Sequence, residues 1–185
     1  MNDRFDPPAN LQTIVLGGGC FWCLEAVYEL ADGVTAVENG YCNGEVVAPT
    51  YEQVCSGRTG HAEVVRVSFD SEHITLREVL EIFFTIHDPT SLNRQGADAG
   101  TQYRSGIYFD NPAHEATARE VLAEANAAHG GRVVTELEAL ANYSRAEDYH
   151  QHYFAKHPNQ GYCAAVVAPK VEKFRRTFKA RVKAA

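Results

Sequence analysis

Hydrophobic and polar positions along this 185-residue chain follow two rhythms, and the switches between them mark out a mixed set of elements. Thr13-Ile14-Val15-Leu16 is a short β-branched apolar run that predicts a buried strand. Three glycines follow; Cys20, Cys23, Leu24 and Val27 then recur at helical spacing until Gly33 supplies a stop. Val34 to Tyr41 predicts a second strand, and a loop containing glycine and proline runs from Cys42 to Gly60. From His61 to Phe69 the pattern alternates, with Glu63, Val65, Val67 and Phe69 on one face and Val64, Arg66 and Ser68 on the other. Thr75 opens a helix through a Thr-x-x-Glu capping box to Glu78. Its stripe is Leu76, Val79, Leu80, Phe83 and Phe84, and Asp88-Pro89 ends it.

Residues 88–103 carry no apolar period, and a loop of that length inside a compact domain is commonly functional. Tyr103 to Phe109 alternates again, placing Tyr103, Ser105, Ile107 and Phe109 on one strand face. Asn111-Pro112 starts a helix striped by Ala118, Val121, Leu122 and Ala125 and stopped at Gly130-Gly131. Val133 to Leu140 reads as a strand, and Ser144 with Glu147 predicts a capped helix running to about Lys156. A Gly161-Tyr162-Cys163 turn and a basic C-terminal segment finish the chain. The first six elements run strand, helix, strand, strand, helix, strand. That order predicts an α+β fold: a two-layer sandwich with a ferredoxin-like split βαβ core and added C-terminal elements. No repeat or linker divides the chain, so residues 1–185 are expected to form a single domain with a flexible N-terminus over 1–11.

Composition narrows the functional classes. A formal net charge of −7 argues against a nucleic-acid or anionic-membrane partner. The leading MNDRFDPPANLQ has no apolar core of a secretory signal, and no stretch approaches membrane-spanning length. Five cysteines, at positions 20, 23, 42, 55 and 163, are an odd set that suits free or redox-active thiols in a reducing compartment. A cytoplasmic protein is expected.

The cysteines also carry the chemistry. Cys20 follows a strand and a loop without side chains and opens a helix, where free backbone N–H groups and the macrodipole favour a thiolate. Phe21 and Trp22 beside it suggest an apolar pocket; the ordinary alternative is a small buried helix-start residue. Cys23 admits three readings: a redox partner of Cys20, half of a zinc site, or a packed helix residue. Zinc needs further clustered ligands, which the isolated remaining cysteines do not supply. A thioredoxin-like site is disfavoured by the element order. Glu63 shares a strand face with Val65, Val67 and Phe69, so its carboxyl is expected to be desolvated and protonated near neutrality, the profile of a general acid. The alternative is a solvated strand-end carboxylate. Tyr103 falls on the face of Ile107 and Phe109, while Tyr51 and Asp98 lie in loops that spacing does not interpret. His150, His152 and His157 fall on the late helix and read as solvated surface. Trp22 breaks any Gly-x-Gly-x-x-Gly fingerprint.

Several short motifs, in order, resemble the A-type peptide methionine sulfoxide reductases. They are Gly19-Cys20-Phe21-Trp22, Thr50-Tyr51-Glu52, Gly60-His61-Ala62-Glu63 and His87-Asp88-Pro89-Thr90. Gly100-Thr101-Gln102-Tyr103-Arg104-Ser105, Asp148-Tyr149-His150-Gln151 and Gly161-Tyr162-Cys163 continue the series. The resemblance implies thiol-dependent reduction of methionine (S)-S-oxide, free and in proteins, and hence repair of oxidised proteins. It implies Cys20 as the nucleophile, Glu63 as proton donor, Tyr51 and Tyr103 as hydrogen-bond donors to the sulfoxide oxygen, and Asp98 in support. Phe21 and Trp22 would hold the substrate methyl group. A sulfenic acid on Cys20 would then condense with a second thiol. Cys163 matches the first of the family's C-terminal resolving cysteines, and no cysteine follows it. Cys23 is the nearby alternative, and Cys42 stands where the family commonly has a small residue. An external thioredoxin or another dithiol is implied as reductant, with no metal or organic cofactor, and a monomer is expected. Two other classes are a general thiol-disulfide oxidoreductase using Cys20-Phe21-Trp22-Cys23 and a non-enzymatic peptide-binding module. Neither needs an acid and two tyrosines.

Overall fold

Short β-branched strands with residues buried on both faces build the centre of the molecule, in a computed structural model that describes residues 9–185. The elements begin with β1 (Leu11–Gly17), α1 (Phe21–Glu29), β2 (Val34–Cys42), α2 (Tyr51–Cys55), β3 (Ala62–Asp70) and α3 (Leu76–Ile86). A small hairpin of β4 (Arg94–Gln95) and β5 (Asp98–Ala99) precedes β6 (Gly106–Phe109), α4 (Pro112–Ala128) and β7 (Glu136–Ala139). The chain closes with β8 (Ser144–Arg145), α5 (Tyr153–Lys156) and α6 (Ala168–Thr177).

The six-stranded sheet runs β7-β6-β1-β3-β2-β8. Its four middle strands are antiparallel to one another, with β3 lying between β1 and β2, and β1 between β3 and β6, while β7 pairs parallel with β6. That is the ferredoxin-like order expected from the element sequence. One face of the sheet presents Ile14, Leu16, Val65, Val67, Phe69 and Ile107 to Leu24 and Val27 of α1 and Val79, Leu80 and Phe83 of α3. The other face buries a smaller cluster of Val15, Cys42, Ala62, Val64 and Tyr108 under Leu140 and Tyr143. The added C-terminal elements thus cover both sides of the split βαβ unit. Among the described residues no helix is long and apolar enough to cross a membrane.

Local polar chemistry overrides periodicity at several places. Tyr103 does not lie on a strand face. It ends a 3-10 helical turn, Thr101–Tyr103, and the strand begins only at Gly106. Arg104 causes the difference: its guanidinium bonds the carbonyls of Thr101 and Gly60 and the Glu136 carboxylate, folding the chain back before β6. The loop after β2 contains α2, started by a Thr50–Gln53 capping box. The helix expected from Ser144 to Lys156 is broken into β8, a 3-10 turn over Asp148–His150, and α5. Ala146 and Gln151 hydrogen-bond to the β2 backbone at Asn39, and His152 takes a left-handed φ of 55°. The three histidines therefore share no helix. Conversely, Gly161-Tyr162-Cys163 is no turn but the start of a continuous helix. It passes through a π-helical turn, Cys163–Val167, into α6 and buries Val167, Val171 and Phe174. Of the flexible segment expected over 1–11, residues 1–8 lie outside the described residues, and Leu11 already pairs with Asp70.

The capping box at Thr75 has both of its hydrogen bonds, the Glu78 amide on the Thr75 hydroxyl and the Thr75 amide on the Glu78 carboxylate. Thr75→Ala should cost about 1 kcal/mol of unfolding free energy. A urea titration checks this through a lower midpoint at unchanged slope, with sulfoxide turnover unaffected.

Candidate active site

The site begins where β1 runs out of side chains. A Cβ at Gly19, whose φ is +89°, would lie 2.8 Å from the Gln95 side chain, and one at Gly18 would lie 3.2 Å from His87 and Phe83. The loop is pressed against a pair of side chains that are themselves fixed. His87 donates from Nδ1 to the Phe83 carbonyl and accepts at Nε2 from the Ser105 hydroxyl, 2.7 Å away. Burial holds its imidazole neutral, pushed down to about 4. Gln95 accepts from the Asp88 amide and donates to the Asp88 carbonyl. This packing sets the height at which Cys20 enters α1.

Cys20 is the N-cap of α1, with φ −60° and ψ 128°, and is 9% exposed. The first helical amide does not serve its sulfur: Phe21 N–H donates to Glu63 Oε2 at 3.3 Å. Burial therefore wins over the helix terminus. It pushes the Cys20 thiol well above its ordinary range, helped by a hydrogen bond with Cys23 and the Glu63 charge, against a smaller opposing pull from the Trp22 amide. The thiolate expected from helix position alone is not the resting state of the reduced site. Cys23, 1% exposed, is pulled the other way, first by its hydrogen bond with Cys20 and, less, by Lys170 and the Tyr162 hydroxyl.

Glu63 lies opposite Tyr41 in the β2–β3 ladder and is 1% exposed. Burial pushes its carboxyl up to about 8; the Phe21 amide offsets part of that, while Asp98 and Cys23 add to it. The acid is thus protonated at neutral pH in the folded protein. Tyr51 opens α2, anchored by its amide on Glu147 Oε2 at 3.2 Å. Tyr103 comes from the 3-10 turn on the opposite side. Both phenols are half-buried, held protonated mainly by that burial, and both feel the Glu63 charge. Asp98, on the hairpin, accepts from the Tyr162 hydroxyl at 2.6 Å.

Aromatic rings wall the remaining side. Trp22 stacks on Tyr153 with centroids 3.7 Å apart and 3° between planes, and meets the edge of Tyr162 at 5.8 Å. Its indole N–H donates to His150 Nδ1 at 3.1 Å. That bond places the imidazole hydrogen on Nε2, which is buried without a partner. Phe21 packs against Tyr41 and His150. Sequence spacing had no means of finding His150, Tyr153, Tyr162 or Glu147 as site residues. Only His150 and Tyr162 carried a signal, as members of short motifs far along the chain.

All five cysteines are free, and the fold sorts them. Cys163 heads the π-helical turn, fully buried, with its thiol raised by burial and then by the neighbouring Cys23. Cys42 belongs to the cluster on the other face of the sheet, away from Cys20, and burial pushes its thiol far up. Cys55 is exposed on α2 and hydrogen-bonds the Tyr51 hydroxyl. His152 turns toward Glu29 and Glu25, but both Glu25 oxygens already accept backbone amides, from His152 and Tyr153.

Residues 12–182 match the family model described as peptide methionine sulfoxide reductase. The chain is 51% identical over 175 residues to the peptide methionine sulfoxide reductase MsrA of Clavibacter michiganensis subsp. michiganensis, covering 95% of this chain and 100% of the relative. Its structure is similar to Mxr1 from Saccharomyces cerevisiae in reduced form, with a TM-score of 0.79 and 37% identity over 87% of this chain and 93% of that one. It is also similar to the same yeast protein in complex with Trx2, with a TM-score of 0.56 and 28% identity over 80% and 87% of the two chains. A sequence match spanning almost every described residue, around a loop that delivers one cysteine to a buried acid, places this chain in the peptide methionine sulfoxide reductase family.

Proposed function

We propose that the chain is a single catalytic domain, acting in the cytoplasm, that reduces methionine (S)-S-oxide, free and in proteins, to methionine and so repairs oxidised proteins. The observation that carries the reading is the Glu63 carboxyl. It is buried, protonated at neutrality and hydrogen-bonded to the amide that directly follows Cys20. A sulfoxide sulfur becomes electrophilic when its oxygen is protonated, and Glu63 is placed to give that proton as Cys20 attacks. The Cys20 proton has a destination in Cys23, through the hydrogen bond between the two thiols. Tyr51 and Tyr103 donate to the sulfoxide oxygen, Phe21 and Trp22 hold the methyl group, and Asp98 supports the wall by fixing Tyr162. Cys20 bonds to the substrate sulfur, and the protonated oxygen then passes from that sulfur to Cys20 as the S–O and the new S–S bonds break. Cys20 is oxidised to a sulfenic acid, and the substrate sulfur, having gained two electrons, leaves as methionine.

Cys23 is the thiol in position to attack that sulfenic acid first, releasing water and closing a Cys20–Cys23 disulfide. Cys163, beside Cys23, is placed to take over the disulfide by exchange. Thioredoxin or another dithiol then restores the thiols, and no metal or organic cofactor enters the cycle. The yeast relative seen in complex with Trx2 supports that choice of reductant. A general disulfide exchanger is the weaker reading, because it would leave Glu63 and both tyrosines without work.

Cys20→Ser should abolish consumption of methionine sulfoxide while leaving the circular dichroism spectrum intact; retained turnover would sink the assignment. Glu63→Gln should keep more activity than Glu63→Ala, since an amide still donates a hydrogen bond, and wild-type activity should decline as pH rises through about 8. Equal activity in all three proteins would remove Glu63 from the chemistry.

Mapping disulfides by mass after one turnover without reductant should show Cys20 joined to Cys23 in Cys163→Ser. The sulfenic acid should persist longer in Cys23→Ser. A disulfide from Cys20 that skips Cys23 in both the wild type and Cys163→Ser would overturn the order.

The same carboxyl links stability to pH. Its ionisation moves from an ordinary 4.5 to about 8 on folding, so between those values the folded state binds a proton that the unfolded chain has lost. This contribution is fully present below about 4.5 and disappears as pH rises through 8. In urea titrations the advantage of Glu63→Gln over wild type should therefore widen from pH 5 to 8; a constant gap would mean that Glu63 is ionised throughout.

A further inference from the structure

Charge is unevenly spread along this chain. Seven of its seventeen lysines and arginines fall within residues 170–183, where Glu172 is the only acid, in a protein of net charge −7. Arg181 and Lys183 are anchored, Arg181 on Glu78 and the His73 carbonyl and Lys183 on the Glu29 carbonyl. Lys170, Lys173, Arg175, Arg176 and Lys179 make no ion pair among the described residues. All but Lys170 are exposed. Because α6 turns Val171 and Phe174 inward, these cations cover its flanks and outer crest.

Complementing the helix dipole accounts for Arg175 and Arg176 in the last turn of α6, but not for Lys170 and Lys173 upstream. Those two line a cleft of about 520 Å³ together with His87, Gln95 and His129. The floor of that cleft, His87 and Gln95, is the reverse side of the packing that supports Gly18 and Gly19. The helix also starts at the redox chemistry, since Cys163 heads the π-helical turn that runs into α6. At 1.5 Å per residue, Lys173 to Arg176 lie about 15–20 Å along the helix from Cys163. One protein interface of standard size, roughly 800 Å² per partner, spans that distance.

We propose that the exposed cations of α6, with Lys179 in the 3-10 turn after it, are the docking surface for the protein that reduces this enzyme: a small dithiol protein carrying acidic side chains around its reactive cysteine. The proposal rests on the reading above, in which the cycle ends in a disulfide at Cys163 or Cys23. A thiolate of the partner attacks one sulfur of that disulfide, forms a mixed disulfide and releases the other sulfur as a thiolate. The partner's second thiol then displaces the enzyme sulfur, so the partner gives up two electrons and two protons and the enzyme recovers two thiols. The cationic face accelerates encounter and fixes orientation, without a part in either sulfur exchange.

The test compares two reductants on the full chain: a bacterial thioredoxin recycled by NADPH and its reductase, and dithiothreitol, which is neutral and needs no docking. The variant reverses three charges, Lys173→Glu, Arg176→Glu and Lys179→Glu. At low ionic strength its kcat/KM for thioredoxin should fall about tenfold. Raising the salt should slow the wild type toward the variant, as screening removes the attraction. Turnover supported by dithiothreitol should match wild type. Salt-independent thioredoxin kinetics, an unchanged kcat/KM, or an equal loss with dithiothreitol would each overturn the proposal. So would unaltered thioredoxin kinetics combined with lost binding to phosphatidylglycerol vesicles, which would assign the face to a membrane. Failure of the underlying activity would look different: the wild type would not reduce sulfoxide even with dithiothreitol.

Discussion

The hydrogen bond from the Phe21 amide to Glu63 is the interaction on which the site depends. It ties the first turn of α1 to the second residue of β3, and so joins the helix headed by Cys20 to the strand that carries Glu63. The bond exists only if β3 is inserted between β1 and β2 in the observed register, because Glu63 must face the helical layer opposite Tyr41. It also consumes the helix amide nearest to Cys20. The same contact that seats the Glu63 carboxyl therefore withholds one helix amide from the Cys20 sulfur, and burial holds that thiol protonated.

The glycine loop makes that bond reachable. Side chains at Gly18 or Gly19 would collide with His87, Phe83 and Gln95, lifting Cys20 and the Phe21 amide away from the sheet. Those supporting groups are braced in turn by Ser105 and Asp88, which belong to the segment that also supplies Asp98 and Tyr103. The long polar stretch between α3 and β6 thus both props up the loop before Cys20 and supplies Asp98 and Tyr103.

Much of this was legible in the chain. The split βαβ order, the caps at Thr75 and Asn111, and the phase of Glu63 all arise from local patterns of fixed period, and those patterns survive folding. Tyr103 shows why other expectations failed: alternation suggested a strand, while Arg104 spends its guanidinium on one local carbonyl, Thr101, and on two distant acceptors, Gly60 and Glu136, and bends the chain before the strand starts. The segment from Ser144 to His157 failed for the same reason, through its bonds to Asn39. Polar interactions between residues a hundred positions apart leave no periodic trace. The thiol chemistry was misjudged on a different ground, since helix position is visible in sequence but the depth of burial that outweighs it is not.

Trp22 is the only tryptophan in the chain, and it lies between Cys20 and Cys23, stacked on Tyr153 and bonded to His150. All indole emission from this protein therefore originates at the reactive centre. Tyrosine stacking, an imidazole acceptor and the oxidation state of sulfur in the adjoining turn each influence how an excited indole decays. The molecule carries its own optical probe, free of background from any other indole, by which substrate entry and each change of the thiols can be followed in real time without a label.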